Sequence, residues 1–104
     1  MAVAIKGVTT KFTMTGTTPI QLANAKSPNE DRKSLFIVNR DTTYSIEFAY
    51  HVGTAANFPS GGGIVVPPGG SWIEGDYDQQ RVNNGDVWAA CTTNNNPIIS
   101  YTED

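Results

Sequence analysis

Tyr44-Ser45-Ile46-Glu47-Phe48-Ala49-Tyr50-His51 alternates from end to end. Tyr44, Ile46, Phe48 and Tyr50 fall on one side, and Ser45, Glu47, Ala49 and His51 on the other. A period of two is the mark of a strand with one buried face. Tyr44, Ile46 and Phe48 are therefore expected in the core and Glu47 in solvent.

Working outward, the same grammar recurs. Lys33-Ser34-Leu35-Phe36-Ile37-Val38-Asn39 is apolar on both faces through its middle. Such a strand is covered on both sides or lies centrally in its sheet. Asn39-Arg40-Asp41-Thr42-Thr43 is a turn cluster, so these two strands are expected to pair as a hairpin. Upstream, Lys11-Phe12-Thr13-Met14-Thr15 and Pro19-Ile20-Gln21-Leu22-Ala23 alternate on either side of Gly16-Thr17-Thr18. Downstream come Ile64-Val65-Val66, the turn Pro67-Pro68-Gly69-Gly70, and Ser71-Trp72-Ile73-Glu74. Asn84-Gly85 is a tight-turn dipeptide leading into Val87-Trp88-Ala89-Ala90-Cys91, and Pro97-Ile98-Ile99-Ser100-Tyr101-Thr102 ends the series.

Helical spacing is missing, apart from Pro28-Asn29-Glu30-Asp31-Arg32, which reads as one helical turn or a polar loop. Seven to eight short strands with a turn about every ten residues predict an all-β chain, a single antiparallel β-sandwich or small barrel. Residues 1–10 are expected to form an N-terminal arm or edge strand, and residues 11–104 the sandwich. Gly53 to Gly63 is the longest loop and is expected to be the most mobile part.

Composition narrows the function. Of 104 residues, 38% are apolar and 16% charged, with a net charge of −3. A mildly acidic chain has no electrostatic attraction to nucleic acid or anionic membranes. Cys91 is the single cysteine, so no intrachain disulfide is available. The apolar run at Ala2–Ile5 is too short for a signal peptide, which gives the expectation of synthesis and folding in a cytoplasm.

Candidate chemistry is thin. His51 and Cys91 are the one histidine and the one cysteine, the minimal set for a nucleophile and its base. Cys91 sits among Ala and Trp, an environment that suppresses the thiolate, so a core thiol and a surface imidazole are the better reading. Glu74, Asp76 and Asp78 cluster without the full spacing of a calcium loop. The glycines at 61–63 and 69–70 have no Gly-Lys-Ser/Thr after them, as a phosphate cradle requires. No catalytic residue, metal ligand or cofactor is expected. Val87–Cys91 and Ile98–Tyr101 are apolar on both faces, and a two-layer sandwich hides only one. Trp88, Ile99, Tyr101 and Trp72 are therefore the expected subunit or partner contacts.

Several of these segments, taken in order, resemble small β-structured accessory proteins of tailed bacteriophage virions. Arg32-Lys33-Ser34-Leu35-Phe36-Ile37-Val38-Asn39 resembles their R-x-S-L-x-I-x-N opening. The aromatic strand Tyr44 to Tyr50 follows, then Gly53-Thr54-Ala55-Ala56, then Gly63-Ile64-Val65-Val66-Pro67-Pro68-Gly69-Gly70-Ser71-Trp72, then Gly85-Asp86-Val87-Trp88-Ala89. The match covers about residues 31 to 103. The resemblance implies a virion structural protein without catalytic residues, a capsid decoration protein first of all. Its partners would be the major capsid protein or another virion protein, and a homotrimer would suit a lattice with three-fold points. The competing expectation is a tail or fibre module that binds host glycan or a receptor through Trp72 or Trp88. An unrelated partner-binding domain is a third, and an enzyme the last.

Overall fold

The computed structural model describes residues 3–27, 31–75 and 82–104. Its eight strands are β1 (Thr10–Thr13), β2 (Ile20–Ala23), β3 (Ser34–Asn39), β4 (Ile46–Tyr50), β5 (Ile64–Val66), β6 (Ser71–Gly75), β7 (Val87–Cys91) and β8 (Ile98–Glu103). They build two antiparallel four-stranded sheets, ordered β1-β8-β3-β6 and β2-β7-β4-β5. Every expected strand is present, and among the described residues helix is confined to one 3-10 turn at Ala55–Asn57.

The strand order has a simple origin. β4 pairs with β5, β3 with β6, β2 with β7 and β1 with β8. The chain is one long antiparallel ribbon, doubled back at the loop after β4 and then coiled into two sheets. This is the jelly-roll arrangement. Successive strands along either arm lie in opposite sheets, so β3 and β4 do not form the expected hairpin. Asn39 to Ser45 is a corner between sheets.

At each corner the two arms of the ribbon bend together, and polar residues satisfy the backbone that leaves the ladder. Asn39 exchanges backbone hydrogen bonds with Gly69 and Gly70 of the Pro67–Gly70 corner. Its Nδ2 donates to the carbonyls of Tyr44 (2.9 Å) and Val66 (3.0 Å). Arg32 N donates to Asn84 Oδ1 (2.8 Å), and Lys26 N to the Asn84 carbonyl (2.8 Å). Gly16, at φ 56°, donates to Asn96 Oδ1 and accepts from Cys91 N. The abundance of Asn and Gly therefore serves corners more than hairpin loops.

Between the sheets lies the core of Phe12, Met14, Leu22, Leu35, Ile37, Ile46, Phe48, Val66, Val87, Ala89, Ile99 and Tyr101. The ring of Phe48 meets Tyr50 and Trp72 edge-on, at 5.6 and 5.7 Å between centroids. Burying each large side chain here contributes roughly 1.5–3 kcal/mol.

Two expectations for the 44–51 segment are corrected. Tyr44 is exposed because it belongs to the corner, where its N–H donates to Asp41 Oδ2 (2.7 Å). Glu47 is buried because the loop before β5 folds over the outer face of its sheet, and Gly61 N donates to its carboxylate. Residues 3–9 touch the sandwich at Ala4 and Gly7 and are exposed at Ile5 and Val8. Ala4 is buried and donates to the Leu22 carbonyl, and Gly7 N donates to Glu103 O.

Candidate functional site

The inside of the sandwich is occupied by its own side chains. Leu35 and Glu74 are cross-strand partners, as are Leu35 and Glu103, so both glutamates point inward from the first sheet. Glu103 Oε1 accepts from Arg32 Nε (3.1 Å) and from the Tyr101 hydroxyl (2.8 Å), and its Oε2 faces the Lys26 ammonium. Arg32 also donates to the carbonyls of Asn24, Asn83 and Gly85. Glu74 accepts from the Tyr50 hydroxyl, from Trp72 Nε1 (2.8 Å) and from Asn83 N (3.2 Å).

These partners set the ionisation of the cluster. Burial pushes the Tyr50 phenol up, and the bond to Glu74 pushes it further. Tyr101 is raised by burial despite the opposing charge of Arg32. Glu74 is held below the usual carboxylate range. Burial would raise it, but the bonds from Tyr50, Trp72 and Asn83 together outweigh that, helped by Arg32. The cluster is a set of matched donors and acceptors that ties the two sheets together.

The residues expected at contacts separate into two groups. Ile99 and Tyr101 are 0% exposed and offer no surface, which corrects their assignment to a contact. In β8 the inward positions are 99, 101 and 103, and 98, 100 and 102 face out, Ile98 being the apolar one among them. Trp72 points inward, half-buried against Phe48. Trp88 points outward from β7, half-buried, with its Nε1 3.3 Å from Asp86 Oδ2.

The surplus apolar face of β7 is covered by the chain itself. Val52 and Phe58, from the loop after β4, pack on Ala90, Ala49 and Trp88 as a small second core. A two-layer count could not foresee this third layer. The one signal for it in the sequence is Phe58, isolated between Asn57 and Pro59 in a loop otherwise made of small and polar residues.

Cys91 and His51 do not meet. Cys91 is buried and pairs in register with Ile46, at the start of β4, while His51 lies beyond that strand's far end, exposed, with φ 57°. The Gly61–Gly63 turn does bind an anion, namely the carboxylate of Glu47. Asp76 and Asp78 of the acidic cluster lie outside the described residues, as does the 28–30 part of the expected helical turn.

The outer face of the first sheet is different. Phe36, Ile73 and Ile98 stand 38%, 59% and 38% exposed. Phe36 is flanked in register by Ile73 on β6 and Thr102 on β8, and Val38 by Ser71 and Ser100. With Thr13 and Lys11 on β1, the strand positions of this face carry aliphatics, one ring, hydroxyls and a single amine, and no carboxylate. In a chain of net negative charge, this face therefore carries one cation and no anion, with exposed apolar side chains across its middle.

The fold is similar to that of a double-stranded β-helix. The comparison is a de novo designed protein of that class, solved by NMR in solution. It has a TM-score of 0.56 and 12% identity, covering 93% of this chain and 99% of the design. At that identity the likeness speaks for fold alone. No family model matches the chain, and no curated protein does.

Proposed function

We infer that this protein is a structural component of a tailed-bacteriophage virion, a decoration protein that binds the assembled shell through the outer face of its first sheet. The observation that carries the reading is the exposed set Phe36, Ile73 and Ile98, with half-buried Val38 beside it, on a sandwich whose interior is filled and whose opposite face is covered over β4 and β7 by its own loop, leaving Val65 exposed there. The ordered resemblance across residues 31 to 103 supplies the virion context. The jelly roll is a fold shared by capsid, lectin and cupin domains, so it is compatible with that context without selecting it. Decoration stabilises by mass action, since the protein binds the assembled shell and not the separated subunits.

The glycan-binding alternative rests on Trp72 and Trp88, and each is half-buried with its indole N–H already directed at a carboxylate of its own chain. The experiment is titration of undecorated shells with wild type, Ile98→Lys and Trp88→Ala. Wild type and Trp88→Ala should bind and raise the temperature of shell disruption, and Ile98→Lys should not. No binding by wild type overturns the decoration reading. Glycan binding that requires Trp72 or Trp88 puts the receptor module in its place.

A further inference from the structure

Four strands lie at sheet edges, and an unprotected edge is a template for pairing with another chain. Three of them are guarded. β1 carries Lys11 on its exposed side. β2 has an irregular register between Gln21 and Ala23, and Ala4 N occupies the Leu22 carbonyl. β5 is only three residues long and runs into Pro67-Pro68. Among the described residues β6 has none of these three devices. Its five residues keep unbroken register with β3, it contains no proline or lysine, and Ile73 at its centre is 59% exposed. Its one charge, Glu74, is turned inward and engaged by Tyr50, Trp72 and Asn83.

We propose that β6 pairs with β6 of a second copy of this chain, antiparallel about a two-fold axis through Ile73, joining two four-stranded sheets into one of eight.

The occupant follows from the strand's own sequence. Ser71-Trp72-Ile73-Glu74-Gly75 is self-complementary when reversed. Ser71 falls opposite Gly75 of the second copy, so small residues meet small ones. Trp72 falls opposite Glu74, which keeps the two glutamates from facing each other. Ile73 meets Ile73, and with Phe36 beside it in each sheet the outer face gains a continuous apolar stripe, Phe36–Ile73–Ile73–Phe36. An isologous interface requires this kind of self-match. Five residue pairs and one stripe bury less than the roughly 1,600 Å² of a standard interface, so the dimer dissociates on dilution. The inference does not depend on the virion reading.

The register gives a sharp test. Residues directly opposite in an antiparallel pair have Cα atoms about 4.5–5.5 Å apart, within the range a disulfide spans. Under copper-phenanthroline oxidation, Ile73→Cys should crosslink to a dimer at least about tenfold faster than Ser71→Cys, whose copies lie four residues apart in register. Cys91 is buried and does not compete. In sedimentation equilibrium, wild type should move from monomer to dimer with rising concentration. Ile73→Lys should stay monomeric with an unchanged circular dichroism spectrum, and Val65→Lys on the β5 edge should behave as wild type. A monomer at every concentration, a trimer mass, or equal crosslinking at positions 71 and 73 overturns the proposal.

Discussion

Arg32 and Glu103 meet inside the sandwich, Nε to Oε1 at 3.1 Å, although 71 positions separate them. Arg32 sits where the first arm of the ribbon turns toward β3, and Glu103 closes β8, so the pair fastens one arm to the end of the other. Both side chains are fully buried. The cost of desolvating them is offset because every side of the guanidinium has a partner: one carboxylate and the carbonyls of Asn24, Asn83 and Gly85.

Removing Arg32 takes the main cation from buried Glu103 and strands three carbonyls. Arg32→Met should therefore cost about 3–5 kcal/mol in urea unfolding. Lys26→Ala, which leaves Arg32 and the Tyr101 hydroxyl on Glu103 Oε1, should cost clearly less than Arg32→Met. Equal losses would mean that Lys26 anchors Glu103 as strongly as Arg32 does.

The tyrosines and Glu74 bracket the pH range of stability. Tyr50 and Tyr101 have phenols raised above their ordinary 10.0 on folding. Their contribution is complete below about pH 10 and is lost as pH rises above it, because the unfolded chain releases protons that the folded one keeps. Glu74 has the opposite sign. Its carboxyl is depressed from 4.5, so its contribution is present above that value and lost as pH falls below it. Urea midpoints should form a plateau between these limits. Glu74→Gln should flatten the acid limb, and Tyr50→Phe should soften both. An unchanged acid limb in Glu74→Gln would assign acid sensitivity to another carboxylate.

Two phenylalanines should behave differently. Phe48 is the centre of the main core, with Tyr50 and Trp72 edge-on to it, and Phe48→Ala should cost about 3–5 kcal/mol. Phe58 belongs to the small core under the loop, so Phe58→Ala should cost less, about 1–3 kcal/mol. Its signature should be local: a red shift in Trp88 emission and faster hydrogen exchange across residues 53–63. A blue-shifted or unchanged spectrum would show that Phe58 does not shield Trp88.

His51 is the one described non-glycine residue in the left-handed region, at φ 57°. Its ring lies over Gly85, where an added Cβ would sit 2.6 Å from it. Side chains pay about 1–2 kcal/mol for that backbone conformation, so His51→Gly should be neutral or stabilising by up to about 1 kcal/mol. A clear loss in thermal denaturation would mean that the ring's packing on Gly85 outweighs the backbone strain.

The positions of the strands were legible in the sequence, because alternation and turn residues are local properties. Tyr44 to His51 announces a strand whatever surrounds it, and the lone Cys91 between alanine and threonine reads as a core thiol. Which strands pair is not local. Asn39–Thr43 has the composition of a hairpin turn, yet it makes a corner, since the doubled ribbon must cross between sheets there to bury both arms. Burial on the second face was equally out of reach. Glu47 looks exposed until the Gly61 turn lies over it, and Ile99 and Tyr101 look like contacts until the register sends them inward and Ile98 outward. Alternation states that two faces differ; only the packing of distant segments, fixed by hydrogen-bond register and the coil of the ribbon, decided what covers each face and, among the described residues, left Phe36, Ile73 and the β6 edge uncovered.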